Sequence, residues 1–325
     1  MQIYAIYGPT GSGKTKYALS ISRQNKSALL ISVDSRKAYK ELNIGTHKSP
    51  LTTLEYSPKF FGINLYEPTE TFTVTDYRDK VYSFIQSSLK ESHQSGIDTI
   101  IFFGGSGLFL DSILFGLNHK YGKPNPELRN NLEAESVRVL QNKAIHLNKD
   151  LYLKLSASDK LNKRRLIRII EATHNSQKEN TIGINYNYSE IYNLLSESDL
   201  RIILPKTDRK ELNPKLLGRV EEMLNEGWIE EVRTILSKFD FDMYEDCSIS
   251  EIKQVLPALG IMGYKSIVEF LQKRLTYKGL KDLLFIEHRQ YAKRQYTWAK
   301  RYINPYLKYP DRNVTFKDIK LEYAI

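Results

Sequence analysis

Residues 8 to 15 read Gly8-Pro9-Thr10-Gly11-Ser12-Gly13-Lys14-Thr15, the G-x-x-x-x-G-K-[ST] spacing that curls backbone N–H groups around phosphate. No other feature limits the fold as much. Such a loop works only between a strand and a helix, because the helix N-terminus adds its partial positive charge to the ring of amides. "QIYAIYG" ahead of it has the apolar character of that strand, and the residues after Lys14 suit the helix. Lys14 is set to reach the terminal phosphate and Thr15 to offer its hydroxyl to a magnesium ion. The spacing asks for a diphosphate or longer and does not require a nucleotide.

Two further apolar runs, "SALLISVDS" and "IDTIIFFGGSG", lead into Asp34-Ser35 and into Gly104-Gly105-Ser106-Gly107. Continuous β-branched and aromatic runs suit strands buried on both faces, as in a parallel sheet. Helical patterns such as Asp76 to Lys90 lie between them. The expected fold is therefore α/β, a P-loop NTPase-like core with a parallel sheet flanked by helices, plus a helical insertion domain. Ligands of such sheets bind at the carboxyl ends of the strands, so the three segments are expected at one edge. "TIIFFGG" ends in glycines where an ATPase would carry a magnesium-holding acid, which weighs against ATP hydrolysis without removing it.

From 119 to 196 the chain is charged, helical in pattern and poor in strand signals. We read 119–196 as the helical insertion, and 1–118 with 197–325 as the core and its C-terminal helices. "DLRIILPKT" from Asp199 should rejoin the sheet, "HNSQKENTIGINYNYSE" reads as loop, and the C-terminus reads as a short polar tail. The net charge of +10 favours a polyanionic partner, nucleic acid before an anionic membrane surface, although a basic surface without a partner has the same composition. The lone Cys247 leaves no internal disulfide and no cysteine-built zinc site, and fits a reducing compartment. With no long apolar run and no charged leader before "MQIYAIYGPT", the expected location is the cytoplasm, away from the membrane, and the expected state is a monomer.

Asp34, at the tip of its strand, suits a metal ligand, a general base, a hook for an acceptor, or a helix cap. The ordered set "GPTGSGKT", "ISVDSRKAY", "NIGTHKSP", "EPTETFTVTDYRD", "GGSGLFLDSILFGL", "NKRRLIRIIEA", "DRKELNPKLLGRVEEML", "GWIEEVRTIL", "LGIMGYKSI" and "HRQYAKRQYTW" resembles the tRNA dimethylallyltransferases, from residue 3 to about 300. The resemblance implies transfer of a dimethylallyl group from dimethylallyl diphosphate to N6 of the adenosine 3′ of the anticodon. The loop would then grip the diphosphate with Mg2+. Thr10 would bond the bridging oxygen, Asp34 would take the N6 proton, and Arg219 would contact the diphosphate. It also implies that Asp34, Ser35, Arg36, Lys37, Ser106, Arg164, Arg165, Arg168, Gly263, Tyr264 and Lys265 touch the tRNA anticodon stem-loop.

Independently, "HRQYAKRQYTWAKR" on a helix puts Arg289, Lys293 and Lys300 on one face and Tyr291, Trp298 and Tyr302 on another, a basic stripe beside a packing stripe. The same stripe also describes a solvated charged helix. The chain departs from the family pattern at Lys37, usually uncharged, and at Ser106, usually threonine. Gly260 and Lys265 stand for two arginines, with Gly260 losing a contact, and Phe60 stands near a common histidine. Three other readings compete: a prenyltransferase of free adenine nucleotides, a P-loop protein that binds RNA without catalysis, and a small-molecule kinase.

Overall fold

Strand β1 (Gln2–Tyr7) runs straight into the phosphate loop, and helix α1 (Lys14–Gln24) leaves it. The structure is a computed structural model that describes residues 1–54, 57, 59–91, 96–116, 125–176, 189–206, 209–241, 247–303 and 319–324. It divides into two compact units, Met1–Gly116 with Glu190–Ile325, and Leu117–Ser189.

In the first unit, β2 (Ala28–Ser32), α2 (Ser49–Thr52), β3 (Phe60–Phe61), α3 (Val74–Glu91), β4 (Thr99–Gly104) and α4 (Gly107–Phe115) follow α1. The second unit holds α5 (Pro126–Glu133), α6 (Val137–Leu147), α7 (Lys149–Leu153) and α8 (Lys163–Ser176). The first unit then resumes with α9 (Ser189–Ser196), β5 (Asp199–Pro205), α10 (Arg209–Asn225), α11 (Trp228–Lys238), α12 (Ile249–Val255), α13 (Tyr264–Leu271), α14 (Tyr277–Ile303) and β6 (Ile319–Ala324).

The sheet has the order β3-β2-β4-β1-β5-β6, every pair parallel. All residues of β2 and β4 are buried, as strands covered on both faces must be. Ile6, Leu30, Ile101, Phe103 and Ile203 from neighbouring strands pack with Ala18 of α1 in one cluster. Each such side chain contributes about 1.5–3 kcal/mol when fully buried. The register aligns the strand ends: Tyr7 sits beside Gly104, and Ser32 beside Phe103. The loop after β1, Asp34 after β2 and Gly105 after β4 therefore leave the sheet at one edge, as the sequence leads one to expect.

The C-terminus differs from expectation. The residues read as a polar tail include β6, which pairs along β5 from Leu200↔Ile319 to Pro205↔Ala324. An edge strand has only one neighbour to satisfy, and "IKLEYA" lacks the continuous apolar run by which interior strands are recognised. Of the polar stretch "HNSQKENTIGINYNYSE", 177–188 lie outside the described residues, and its two ends belong to α8 and α9.

The second unit packs α6 against α8 through Leu140, Ala144, Leu166, Ile167 and Ile170. Ser136 and Asn148 cap α6 and α7 by accepting from Val139 N and Leu151 N, each cap adding about 1 kcal/mol. Glu171 is fully buried there and takes Arg129 at 2.7 and 2.8 Å, Arg168 at 3.2 Å and the Asn125 N–H at 2.9 Å. Burial alone would raise its carboxyl, but these donors hold it below the usual range.

Candidate active site

The phosphate loop closes on α1 through Gly13, the N-cap, whose φ of 82° is left-handed backbone that side chains disfavour. The Lys14 amine lies over the loop and donates to the Pro9 carbonyl at 2.6 Å. Among the described residues, the buried Ser12 Oγ of this loop and the buried Arg219 Nε have no hydrogen-bond partner.

Helix α14 fixes the loop from outside. Gln295 is 3% exposed; its Oε1 accepts the Thr10 N–H at 2.8 Å and its Nε2 donates to the Gly105 carbonyl at 3.0 Å. A Cβ on Gly105 would lie 2.0 Å from that Nε2, so the close approach requires glycine. The Tyr291 hydroxyl donates to the same carbonyl at 3.3 Å, Trp298 lies against Gly107, and Tyr302 donates to Asp111 at 2.6 Å. The two expected stripes are present: Tyr291, Trp298 and Tyr302 pack inward, while Arg289, Lys293 and Lys300 are exposed. Gln295 escaped sequence reading, since nothing local ties it to residues 285 positions away.

Beyond β2, Asp34 is 7% exposed. Its Oδ1 accepts the Arg36 N–H at 3.1 Å and Nε at 3.4 Å. Burial would raise this carboxyl, but Arg36 and Lys37 outweigh it and keep Asp34 below the usual carboxylate range. Asp34 is thus an ionised acceptor. The Arg36 guanidinium lies 4.2 Å over the Tyr291 ring. The Ser106 Oγ accepts the Ser35 N–H at 3.0 Å and lies 3.2 Å from the Ser35 Oγ, tying the ends of β2 and β4. Lys37 is buried, and its amine donates to the His47 carbonyl at 2.5 Å.

These groups open on one cavity of about 370 Å³, lined by Thr10, Gly11, Gly13, Lys14 and Thr15 of the loop and by Asp34, Arg36, Lys37, His47, Arg219 and Gln295. Burial pushes the Lys14 and Lys37 amines down to about 7; Asp34 opposes the shift, and Arg219 and the neighbouring cations add to it. Burial and Arg36 lower the Arg219 guanidinium to about 10. Burial, Arg219 and Lys37 lower His47 to about 3, so its ring is neutral. A cavity whose cations repel one another before anything binds is built for a polyanion.

One wall, residues 43–48, is held by α11 and α13. Glu231 accepts the N–H groups of Asn43 and Ile44 at 2.8 Å and of Gly45 at 3.4 Å, while the Tyr264 hydroxyl donates to Glu231 at 2.6 Å. Lys48, fully buried, donates to the Tyr39 carbonyl and to Asn64. Tyr264 is itself fully buried. Expected to touch RNA, in this structure it braces the wall: its hydroxyl is committed to Glu231 and its ring packs on Trp228. Gly263 donates its N–H to Glu287 at 3.0 Å, and Lys265 is exposed and paired with Glu269 at 3.3 Å. Arg164 and Arg165 are exposed and Arg168 is half-buried; all three stand on α8 in the second unit. Gly260 packs on the Lys253 stem and Phe60 is buried in β3.

Among the described residues no group of three His, Cys, Asp or Glu could enclose a metal ion. Thr15 brings a hydroxyl to the cavity, and Asp34 is paired with Arg36. That donor set fits a magnesium ion that takes most of its oxygens from bound phosphate and water. No helix among the described residues is long and apolar enough to cross a membrane.

The pattern of the IPP transferase family matches residues 37–302. A tRNA dimethylallyltransferase of Gloeothece citriformis is 30% identical over 302 residues, 92% of this chain and 88% of that protein. Another, of Clostridioides difficile, is 27% identical over 91% of this chain and 88% of its own. Among solved structures, a eukaryotic dimethylallyltransferase acting on tRNA superposes with a TM-score of 0.68 at 19% identity, over 91% of this chain and 69% of its own. The tRNA isopentenylpyrophosphate transferase of Staphylococcus epidermidis gives a TM-score of 0.58 at 21% identity, over 98% and 92%. At such identities the structural likeness speaks to the fold.

Proposed function

The chain belongs to the IPP transferase family, and from that premise we infer that it transfers a dimethylallyl group from dimethylallyl diphosphate to N6 of the adenosine 3′ of the anticodon in tRNA. The products are N6-isopentenyladenosine and diphosphate. One observation carries the reading: an ionised carboxylate, Asp34, opens on the same cavity as the phosphate loop and Arg219.

The chemistry divides between the two sides of that cavity. On the loop side, backbone N–H groups, the N-terminus of α1, Lys14 and Arg219 grip the diphosphate. As the allylic C–O bond breaks, its electron pair moves onto the bridging oxygen, and these donors stand where negative charge grows. The resemblance assigns Thr10 to that oxygen. On the other side, Asp34 accepts a hydrogen bond from the exocyclic amine and takes its proton as the N6–C bond forms. Arg36, held between Asp34 and the Tyr291 ring, keeps the carboxylate ionised and oriented.

Magnesium, bound through Thr15 and the diphosphate oxygens, would add charge neutralisation at the leaving group. The tRNA anticodon stem-loop is the acceptor, with the exposed arginines of α8 and the basic stripe of α14 as its phosphate contacts. A free adenine nucleotide would not need them.

The test is to incubate the protein with magnesium, dimethylallyl diphosphate and an unmodified tRNA transcript, then weigh the digested nucleosides. N6-isopentenyladenosine is expected in the tRNA, and Asp34→Asn should slow its formation at least about 10²-fold. Product on AMP alone would move the chain to the free-nucleotide prenyltransferases. No product on either acceptor would sink the catalytic reading.

A further inference from the structure

The cavity holds more positive charge than its own carboxylate can balance. Six basic side chains line it. Lys16 and Arg23 are exposed on α1, leaving Lys14, Arg36, Lys37 and Arg219 inside, against Asp34 alone. Asp34 is taken by Arg36. Among the described residues Lys14 and Lys37 rest on backbone carbonyls, of Pro9 and His47, and neither is in an ion pair. Arg219 is in none either, and its Nε is buried without a partner. Three basic groups therefore converge on one cavity with no counter-ion of their own among the described residues.

An organic diphosphate ester carries about three negative charges at neutral pH. Once protonated, as a bound trianion favours, the three unpaired groups match it one for one, and Lys37 makes the count complete. Lys37 is also poorly placed for the RNA contact the resemblance assigns to it. It is 8% exposed, lines the cavity, and its amine rests on the His47 carbonyl of the 43–48 wall. In a cavity this size, a buried cation acts on a phosphate with little screening from water.

We propose that Lys37 is a third fixed counter-charge for the isoprenoid diphosphate, so that this chain binds dimethylallyl diphosphate tightly even when magnesium is chelated. The proposal rests on the diphosphate reading above and adds to it.

Calorimetric titration of the intact protein with dimethylallyl diphosphate, in magnesium and in EDTA, tests this. For the wild-type chain, chelation should weaken binding less than about tenfold. For Lys37→Gln it should weaken binding by a further tenfold or more, with much smaller loss in magnesium, and Lys37→Arg should behave as wild type. A wild-type chain that loses 100-fold or more in EDTA would overturn the proposal, whatever the variants do. So would equal chelation losses in wild type and Lys37→Gln. Absence of wild-type binding even in magnesium is a different result, because it removes the diphosphate reading itself.

Discussion

Lys14 and Lys37 share a condition that no single contact explains. Burial pushes each down to about 7, with Asp34 opposing the shift and like charges adding to it: Arg219, Lys37 and Arg36 face Lys14, and Arg219, Arg36 and Lys48 face Lys37. Near neutral pH the free site therefore holds these amines partly deprotonated. A trianionic ligand favours their charged forms and lifts both pKa values toward the ordinary lysine range, so binding takes up protons. At pH 6 both amines are already charged and uptake is close to zero. At pH 8 most of the free protein has lost these protons, and uptake should approach about two per ligand. Affinity accordingly falls as pH rises above about 7. Titrating dimethylallyl diphosphate into the protein in two buffers of different ionisation enthalpy reads the count directly. Lys37→Gln should remove about one proton from it, and a proton count that does not change between pH 6 and pH 8 would contradict the assignment.

At the scale of elements, α14 links the ends of β1 and β4. Gln295 is the only side chain among the described residues shown bonding both Thr10 N and Gly105 O. Gln295→Leu takes the Gln295 acceptor from the buried Thr10 N–H and leaves the Gly105 carbonyl with only the longer Tyr291 bond, a cost of about 1–3 kcal/mol in stability. A purely structural loss would lower the active fraction, and hence kcat, at unchanged KM. A positioning residue should raise KM for dimethylallyl diphosphate several-fold while KM for tRNA stays put, and steady-state kinetics at a temperature where the variant is folded separates the two. The same elements show what a sequence can reveal. β1, β2, β4 and β5 announce themselves because strands covered on both faces must be apolar without a break, and Asp34 and the phosphate loop follow from where those strands end. Gln295 and Glu231 do not announce themselves, because a glutamine or glutamate on a helix acquires its meaning only when folding brings distant backbone to it. Only the resemblance singles out Arg219, which lines the cavity, since one arginine on a charged helix carries no local signal. Tyr264 shows the converse: its motif was visible, while its burial against Trp228 was not.

Over the whole molecule, charge is unevenly shared. Residues 117–189 carry 13 Lys and Arg against 7 Asp and Glu, so more than half of the net +10 sits in fewer than a quarter of the residues. Within that unit Glu171 consumes Arg129 and Arg168 internally, which makes Arg164 and Arg165 on the exposed face of α8 the better candidates for phosphate contacts. Arg165 lies 3.8 Å from Asp159, an exposed pair of little strength. If these two arginines neutralise tRNA phosphates, each releases condensed counter-ions on binding. The slope of log affinity against log salt should then become shallower by about one to two in Arg164→Ala/Arg165→Ala. Affinity for tRNA should fall most at low salt, where the released ions count for most, and binding of dimethylallyl diphosphate to the same variant should be unchanged. Filter binding of one tRNA transcript across a salt series, beside a diphosphate titration, measures both. An unchanged slope would mean that the second unit's charge serves something other than tRNA, and that the exposed basic stripe of α14 has to carry the RNA backbone by itself.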